Sequence, residues 1–324
     1  MNPVLKGLLR LIPSYRLLEE RKQQLIAERD ALLGKIGVFE SERALWKEWM
    51  SFYAPGHYYS PLPSQAEIAA AFARGGFGPP FAAISLNDAV QFSRLERFAT
   101  YYPEQPFPSE PTPGRRFHLN NPSYGAFDAI MLYGMLREAR PRRIIEIGSG
   151  FSSAAMLDLN DRVLGGTVGF TFIDPEMSRL RGLLREGDAA RVTLIEKQVQ
   201  DVPLKTFAAL AEDDVLFIDS SHVSKIGSDV NRIFFDILPS LAPGVLVHFH
   251  DISGNFEYPR VWFEQGRAWN EQYLLRAFLM YNPAFRIELL TAWLFNVRTS
   301  FLRERMPLCG QGGGGQIWLR KLAR

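Results

Sequence analysis

The 324-residue chain is 47% hydrophobic, 13% aromatic and 22% charged, a balance that excludes a disordered, collagen-like or low-complexity protein. Thirty-seven Lys and Arg against 35 Asp and Glu leave a net charge of +2, too weak a field to argue for a nucleic-acid partner. At roughly 100–200 residues per domain, the length predicts two units, or one large unit with an extension.

Leu5, Leu8, Leu9 and Ile12 fall at helical spacing beside Lys6 and Arg10. These cations interrupt the apolar stretch and no small-residue cleavage site follows, which argues against a secretory signal. Two readings stay open for this segment: a short helix packing on its own protein, or peripheral contact with an anionic membrane surface. No apolar run approaches the ~20 residues of a transmembrane helix. The single cysteine, Cys309, rules out an internal disulfide and a cysteine-based zinc site. It fits a reducing compartment, and a cytoplasmic location is expected.

Residues 14–53 lack proline and predict one long helix or two shorter ones, weakened at Gly34 and Gly37. Leu18, Leu25, Leu32, Phe39 and Trp46 recur every seven residues. The second seam position holds Arg21, Glu28, Lys35 and Glu42, so the pattern is half of a coiled-coil signature. An amphipathic helix that packs on another subunit or on the main domain, and so builds a homo-oligomer, is expected over residues 1–54. Residues 55–114 read as a helical and proline-rich connector. Within it lie His57, Tyr58 and Tyr59, a short helix around Ala66–Phe72, a break at residues 75–80 and a helix from Asn87 to Tyr101. Five prolines follow between Pro103 and Pro113. The His57–Tyr59 aromatics either line a binding site or pack in a core.

From residue 115 the pattern alternates. Helix Tyr124–Glu138 precedes strand Arg143–Ile147, and a helix opens at Ser152. Strand Val168–Ile173, helix Glu176–Arg185, strand Val192–Glu196 and a short helix after Pro203 come next. Strand Val215–Ile218, helix Ser228–Leu238, strand Val245–Phe249 and helix Trp269–Tyr281 complete the alternation. Such a pattern predicts a doubly wound α/β domain over 115–324 with a mostly parallel sheet. Phe285–Phe295 reads as a sixth strand and Gln316–Lys321 as a seventh at the edge. With no helix of useful length between them, an antiparallel hairpin is expected, and Gly312–Gly315 leads into its second strand.

The first strand ends in Glu146-Ile147-Gly148-Ser149-Gly150-Phe151-Ser152-Ser153. Glycines at a strand-to-helix turn let backbone approach a ligand, and the helix start offers free N–H groups. Ser153 stands where a dinucleotide fingerprint would need its third glycine. The second strand ends in Asp174, placed to accept ribose hydroxyls or to cap the next helix. The fourth ends in Asp219-Ser220-Ser221-His222 and the fifth in His248-Phe249-His250-Asp251, and in a doubly wound sheet both ends open on one crevice. His248 lies deeper along its strand and reads as a core residue.

Seven strands ending in a reversal, with Glu146-x-Gly148-x-Gly150, resemble the class I S-adenosylmethionine-dependent methyltransferases. The D-x-S-H element at 219–222, with the acid at 251, resembles metal-dependent sugar O-methyltransferases, including macrolide glycoside methyltransferases. This resemblance implies that S-adenosyl-L-methionine is bound by Glu146, Gly148, Ser149, Gly150, Ser153, Asp174, Gln198, Val199 and Asp219. It further implies His222 as base, with Asp219, His250 and Asp251 around a divalent metal. His250 stands where the macrolide enzymes carry an acid, which favours Mn2+, Fe2+ or Zn2+ over Mg2+, or no metal at all. The implied acceptor is a sugar or polysaccharide hydroxyl. Another small molecule, a phenol or an amine, is the enzymatic alternative, and an adapter without catalysis is the non-enzymatic one.

Overall fold

The computed structural model describes residues 13–49, 53–75, 81–312 and 314–323, with two compact units, residues 1–69 and 70–324. The expected N-terminal segment around Leu5–Ile12 lies outside the described residues. In the first unit, α1 (Pro13–Trp49) is one unbroken helix, so Gly34 and Gly37 are absorbed without a break. Leu18, Leu25, Leu32 and Phe39 are 50–69% exposed along it. Tyr58 and Tyr59 are also exposed rather than core residues, and they stack with His57 and Tyr53 in one aromatic cluster. α2 (Gln65–Arg74) begins beyond Ser64, whose backbone N–H and hydroxyl both donate to Glu67 while Glu67 N–H donates back to the hydroxyl, a reciprocal cap.

The second unit holds α3 (Asp88–Tyr101), α4 (Ala126–Ala139), β1 (Arg143–Ile147), α5 (Phe151–Arg162), β2 (Gly169–Ile173), α6 (Ser178–Leu183) and β3 (Val192–Ile195). Then come α7 (Leu204–Phe207), β4 (Val215–Ile218), α8 (Asp229–Arg232), a π-helical segment Ile233–Ile237 and α9 (Leu238–Ser240). β5 (Leu246–Phe249), α10 (Arg260–Glu264), α11 (Glu271–Leu279), β6 (Phe285–Leu290), α12 (Thr291–Arg305) and β7 (Ile317–Lys321) complete it. The strand order is β3-β2-β1-β4-β5-β7-β6, with β7 antiparallel to both neighbours and the other pairs parallel.

Two expectations for the C-terminus need correction. The sixth strand stops at Leu290 and the chain turns directly into α12, so β6 and β7 pair antiparallel without forming a hairpin. β7 is also no edge strand. It inserts between β5 and β6, and Trp318 within it is fully buried.

Strand residues alternate between two cores because the pleat sends successive side chains to opposite faces. Ile144, Val215, Phe217 and Leu246 join α4 and α5 on one face, while Ile145, Leu216, Ile218, Val247 and Phe249 join Val230, Ile237 and Leu275 on the other. Both faces are therefore covered, as near-continuous apolar strands require. At Gly134 a Cβ would stand 2.6 Å from the Phe98 ring, so this glycine lets α3 pack closely on α4.

The segment entering α4 is fastened by Arg116, whose fully buried guanidinium meets Asp158 at 2.8 Å, Asp161 at 2.9 Å and Asp188 at 2.5 Å. Burial opposes its charge, but the hydrogen bonds it donates to the three carboxylates raise its pKa further. Arg116→Met leaves buried Asp158 without a counter-charge and Asp188 with only Arg185, at 3.9 Å. It is expected to cost about 3–5 kcal/mol, the usual penalty for breaking a buried ion pair, as measured by urea unfolding.

Candidate active site

Register places the functional strand tips side by side. Ile147 pairs with Ile218 and Ile218 with Phe249, while Gly148, Asp219 and His250 each donate their N–H to the last carbonyl of an adjacent strand, at 2.8–2.9 Å. The strand order reverses between β1 and β4, the crevice where open α/β sheets bind ligands. Gly148 sits at φ +79, and a Cβ there would fall 1.9 Å from the Asp219 carbonyl oxygen, so only glycine fits. A Cβ on Gly150 would meet Arg179 at 3.1 Å. These two positions form a backbone cradle ahead of the N-terminus of α5, suited to an anionic or polar cofactor end.

Glu146 is fully buried beneath this cradle and accepts from both Ser152 (2.5 Å) and Ser153. Burial pushes its pKa up to about 8 against the pull of those hydroxyls. Asp174 accepts from Ser149 N–H (2.8 Å) and the Ser149 hydroxyl (3.0 Å) on one oxygen and from Glu176 N–H (2.8 Å) on the other. The carboxylate thus ties the glycine turn to the start of the segment after β2. Gln198 is exposed and Val199 buried at the turn beyond β3.

His222 is the centre of the second cluster. Its Nδ1 lies 2.8 Å from Glu271 Oε2, while its Nε2 lies 3.4 Å from Asp219 Oδ1 and 3.6 Å from Asp251 Oδ2. Burial disfavours the imidazolium, but Asp219 and Glu271 prevail and raise its pKa to about 10. Burial likewise would raise Asp219, yet the His222 hydrogen bond and the charges of His250 and His222 hold it below the usual carboxylate range. His222 (φ +60) and Asp251 (φ +56) are both left-handed, a conformation that non-glycine residues adopt at a cost and that gathers at functional sites.

The ligand atoms that converge are those of Asp219, His222 and Asp251, within 4.8 Å of one another. His250 stands behind them: its Nε2 is 3.8 Å from Asp251 Oδ1, its ring is 5.2 Å from Tyr124, and its Nδ1 has no hydrogen-bond partner. His248 is a core residue as expected, stacked 3.7 Å from Phe217. Neither of its ring nitrogens finds a partner, and burial holds it neutral.

Sequence reasoning missed three members of the site. Glu271, 1% exposed at the start of α11, accepts from the Ser220 hydroxyl as well as facing His222, and its own N–H donates to the His222 carbonyl. Trp269 lies 4.3 Å from the His222 ring. Tyr124, 2% exposed, has an unpartnered hydroxyl. An acid at a helix start gives no signal beyond favourable helix electrostatics, and nothing local pairs it with a residue 49 positions away.

Residues 145–252 match the family model described as a methyltransferase domain, which covers both strand-tip clusters. Over 174 residues the chain is 31% identical to an uncharacterised protein of Archaeoglobus fulgidus, an alignment covering 52% of this chain and 77% of that relative. The chain belongs to the class I S-adenosylmethionine-dependent methyltransferases, which use that cofactor as the methyl donor. Among solved structures it is similar to CmcI with magnesium and S-adenosylmethionine, at 19% identity over 62% of this chain and 73% of that one, with a TM-score of 0.37. It is also similar to the O-methyltransferase TomG of Streptomyces achromogenes, involved in tomaymycin synthesis, in complex with S-adenosylmethionine. That match has 17% identity, 71% and 90% coverage and a TM-score of 0.42. No helix among the described residues is long and apolar enough to cross a membrane.

Glu271→Gln removes the anion that holds His222 Nδ1 and raises the imidazole pKa. Turnover is expected to fall about 10- to 100-fold with the Michaelis constant for S-adenosylmethionine unchanged. The imidazole pKa drops when its anionic neighbour is neutralised, so the rising limb of the pH–rate profile moves to lower pH.

Proposed function

We propose that the enzyme transfers a methyl group from S-adenosylmethionine to a hydroxyl of a sugar or polysaccharide, with His222 as general base. The observation that carries this reading is the His222 imidazole, clamped at Nδ1 by Glu271 and presenting Nε2 to the crevice between Asp219 and Asp251. A sugar hydroxyl is a poor nucleophile near neutral pH and needs a base within hydrogen-bond reach. The hydroxyl oxygen attacks the sulfonium methyl carbon, the carbon–sulfur electron pair returns to sulfur to give S-adenosylhomocysteine, and the hydroxyl proton passes to Nε2. A sulfonium bound near Asp219 and Asp251 would offset their negative charge and so favour the neutral imidazole that a base must be.

The cofactor reading rests on the cradle at Gly148, Ser149 and Gly150, with Glu146 and Ser153 beneath it. Asp174 already accepts three hydrogen bonds, so a ribose diol engages it when the Ser149 hydroxyl turns away. In this reading Gln198 and Val199 would flank the adenine, and Asp219 would border the methionine end.

A divalent cation fits the donors present. Asp219, His222 and Asp251 offer two carboxylates and an imidazole, a set suited to Mn2+, Fe2+ or Zn2+. Bound there, such an ion supplies charge stabilisation for a developing alkoxide. Within this set His222 Nε2 holds either a proton or a metal, and His250 supports Asp251 from behind.

A second element of the proposal is a homo-oligomer. The exposed Leu18, Leu25, Leu32 and Phe39 recur every seven residues on α1, and a second copy of that helix buries the same stripe. Leu25→Glu with Leu32→Glu is expected to lower the mass measured by light scattering, and an unchanged mass removes α1 from the interface. A cytoplasmic location accords with the free, buried Cys309.

His222→Ala is expected to reduce transfer to a glycan acceptor by about 100- to 10,000-fold, with S-adenosylmethionine affinity near that of the parent by calorimetry. Asp174→Ala is expected to weaken cofactor affinity first. EDTA decides between the two uses of Nε2: lost activity restored by Mn2+ supports the cation, and full activity in EDTA leaves His222 as a metal-free base.

A further inference from the structure

Residues 262–270 carry an arginine and two tryptophans to the flank of His222. Past α10 the chain turns at Gly266 (φ +79), where Gly266 N–H donates to the Phe263 carbonyl and Arg267 N–H to the Trp262 carbonyl, both at 2.9 Å. This turn folds Arg267 back over Trp262. Its guanidinium carbon lies 5.2 Å from the Trp262 ring centre and 5.0 Å from that of Trp269. The two indoles stand 5.0 Å apart at 70°, so the guanidinium occupies the corner between them. Tyr258, 2% exposed, backs both rings at 5.9 and 6.2 Å.

An exposed arginine ordinarily spends its charge on a nearby carboxylate or keeps it in water. Among the described residues, Arg267 side-chain nitrogens have no hydrogen bond or ion pair, although Glu264 lies three residues away and pairs with Arg260 instead. The indoles hold the guanidinium by its π-system, which leaves its fork of N–H donors unspent and already oriented. Placement adds meaning to that orientation. Trp269 neighbours both groups, its ring centre 5.0 Å from the Arg267 guanidinium carbon and 4.3 Å from the His222 ring, so the arginine and the imidazole share one indole. Around the His222 imidazole itself stand Asp219, Asp251 and Glu271, whose carboxylates repel an anion.

We infer that Arg267, with Trp262 and Trp269, forms an acceptor subsite that recognises an anionic group on the sugar, so that the natural acceptor is an acidic glycan. The indoles offer flat apolar surface to a sugar ring, and the guanidinium fork takes a carboxylate or phosphate in a bidentate pair. Charge then orients the acceptor: its anionic substituent is drawn to Arg267 and away from the three carboxylates, which leaves a hydroxyl to face His222. This inference rests on the sugar-acceptor reading.

The test is calorimetric titration of the full-length protein, saturated with S-adenosylhomocysteine, using a galacturonic acid trisaccharide, a galactose trisaccharide and galactose 6-phosphate. One acidic ligand is expected to bind at least ~10-fold more tightly than the neutral trisaccharide, a difference that Arg267→Gln abolishes and Arg267→Lys partly restores. The more tightly bound acidic ligand identifies carboxylate or phosphate as the group read. Thermal unfolding and S-adenosylhomocysteine affinity are expected to be unchanged by Arg267→Gln. Equal binding of neutral and acidic sugars, unaffected by Arg267→Gln, overturns the acidic-glycan inference and leaves the sugar reading standing. Binding of no sugar, while labelled methyl passes to a phenol or amine, overturns both.

Discussion

At the centre of the sheet the tips of β1 and β4 approach so closely that Gly148 has no room for a side chain beside the Asp219 carbonyl. Hydrogen bonds from Gly148 to the end of β2, from Asp219 to the end of β1 and from His250 to the end of β4 bring four parallel strands to a common finish. Every functional group follows from that alignment. Glu146 and Asp174 sit on one side of the strand reversal, and Asp219, His222, His250 and Asp251 sit on the other. A shift of one residue in any of these strands would turn the tip side chains to the opposite face.

The second cluster concentrates negative charge around one imidazole. Asp219, Asp251 and Glu271 surround His222, and two of the four residues hold left-handed backbone. Such an arrangement costs stability, and a fold optimised for stability alone would disperse it. The glycines before β7 belong to the same construction: Ile252 N–H donates to Gly315, and a Cβ on Gly314 would collide with Asp128.

Much of this was legible in the sequence. β1 and β4 fall within Arg143–Ile147 and Val215–Ile218 as expected, because short apolar runs bounded by charged residues and glycine leave little freedom in their ends. The crevice residues followed from strand tips alone, since a doubly wound sheet opens on its carboxyl edge. What failed was information held between distant segments. The Leu290–Thr291 boundary carries no glycine, proline or side-chain cap, so the apolar run of β6 flowed unmarked into α12. The insertion of β7 between β5 and β6 is decided by which edge is free to pair, and no local pattern encodes that. Glu271 is invisible for the same reason: its role exists only once the chain after β5 folds back on His222.

The central claim is that three carboxylates hold His222, with Nδ1 committed to Glu271 and Nε2 turned to the crevice. Titration of the imidazole nitrogens by 15N NMR, on protein free of cofactor and treated with chelator, tests it most directly. The account predicts a His222 that stays protonated on both nitrogens through neutral pH and titrates far above the ordinary value of 6.5, near 10. Titration of His222 close to 6.5 would contradict the clamp on which the site depends.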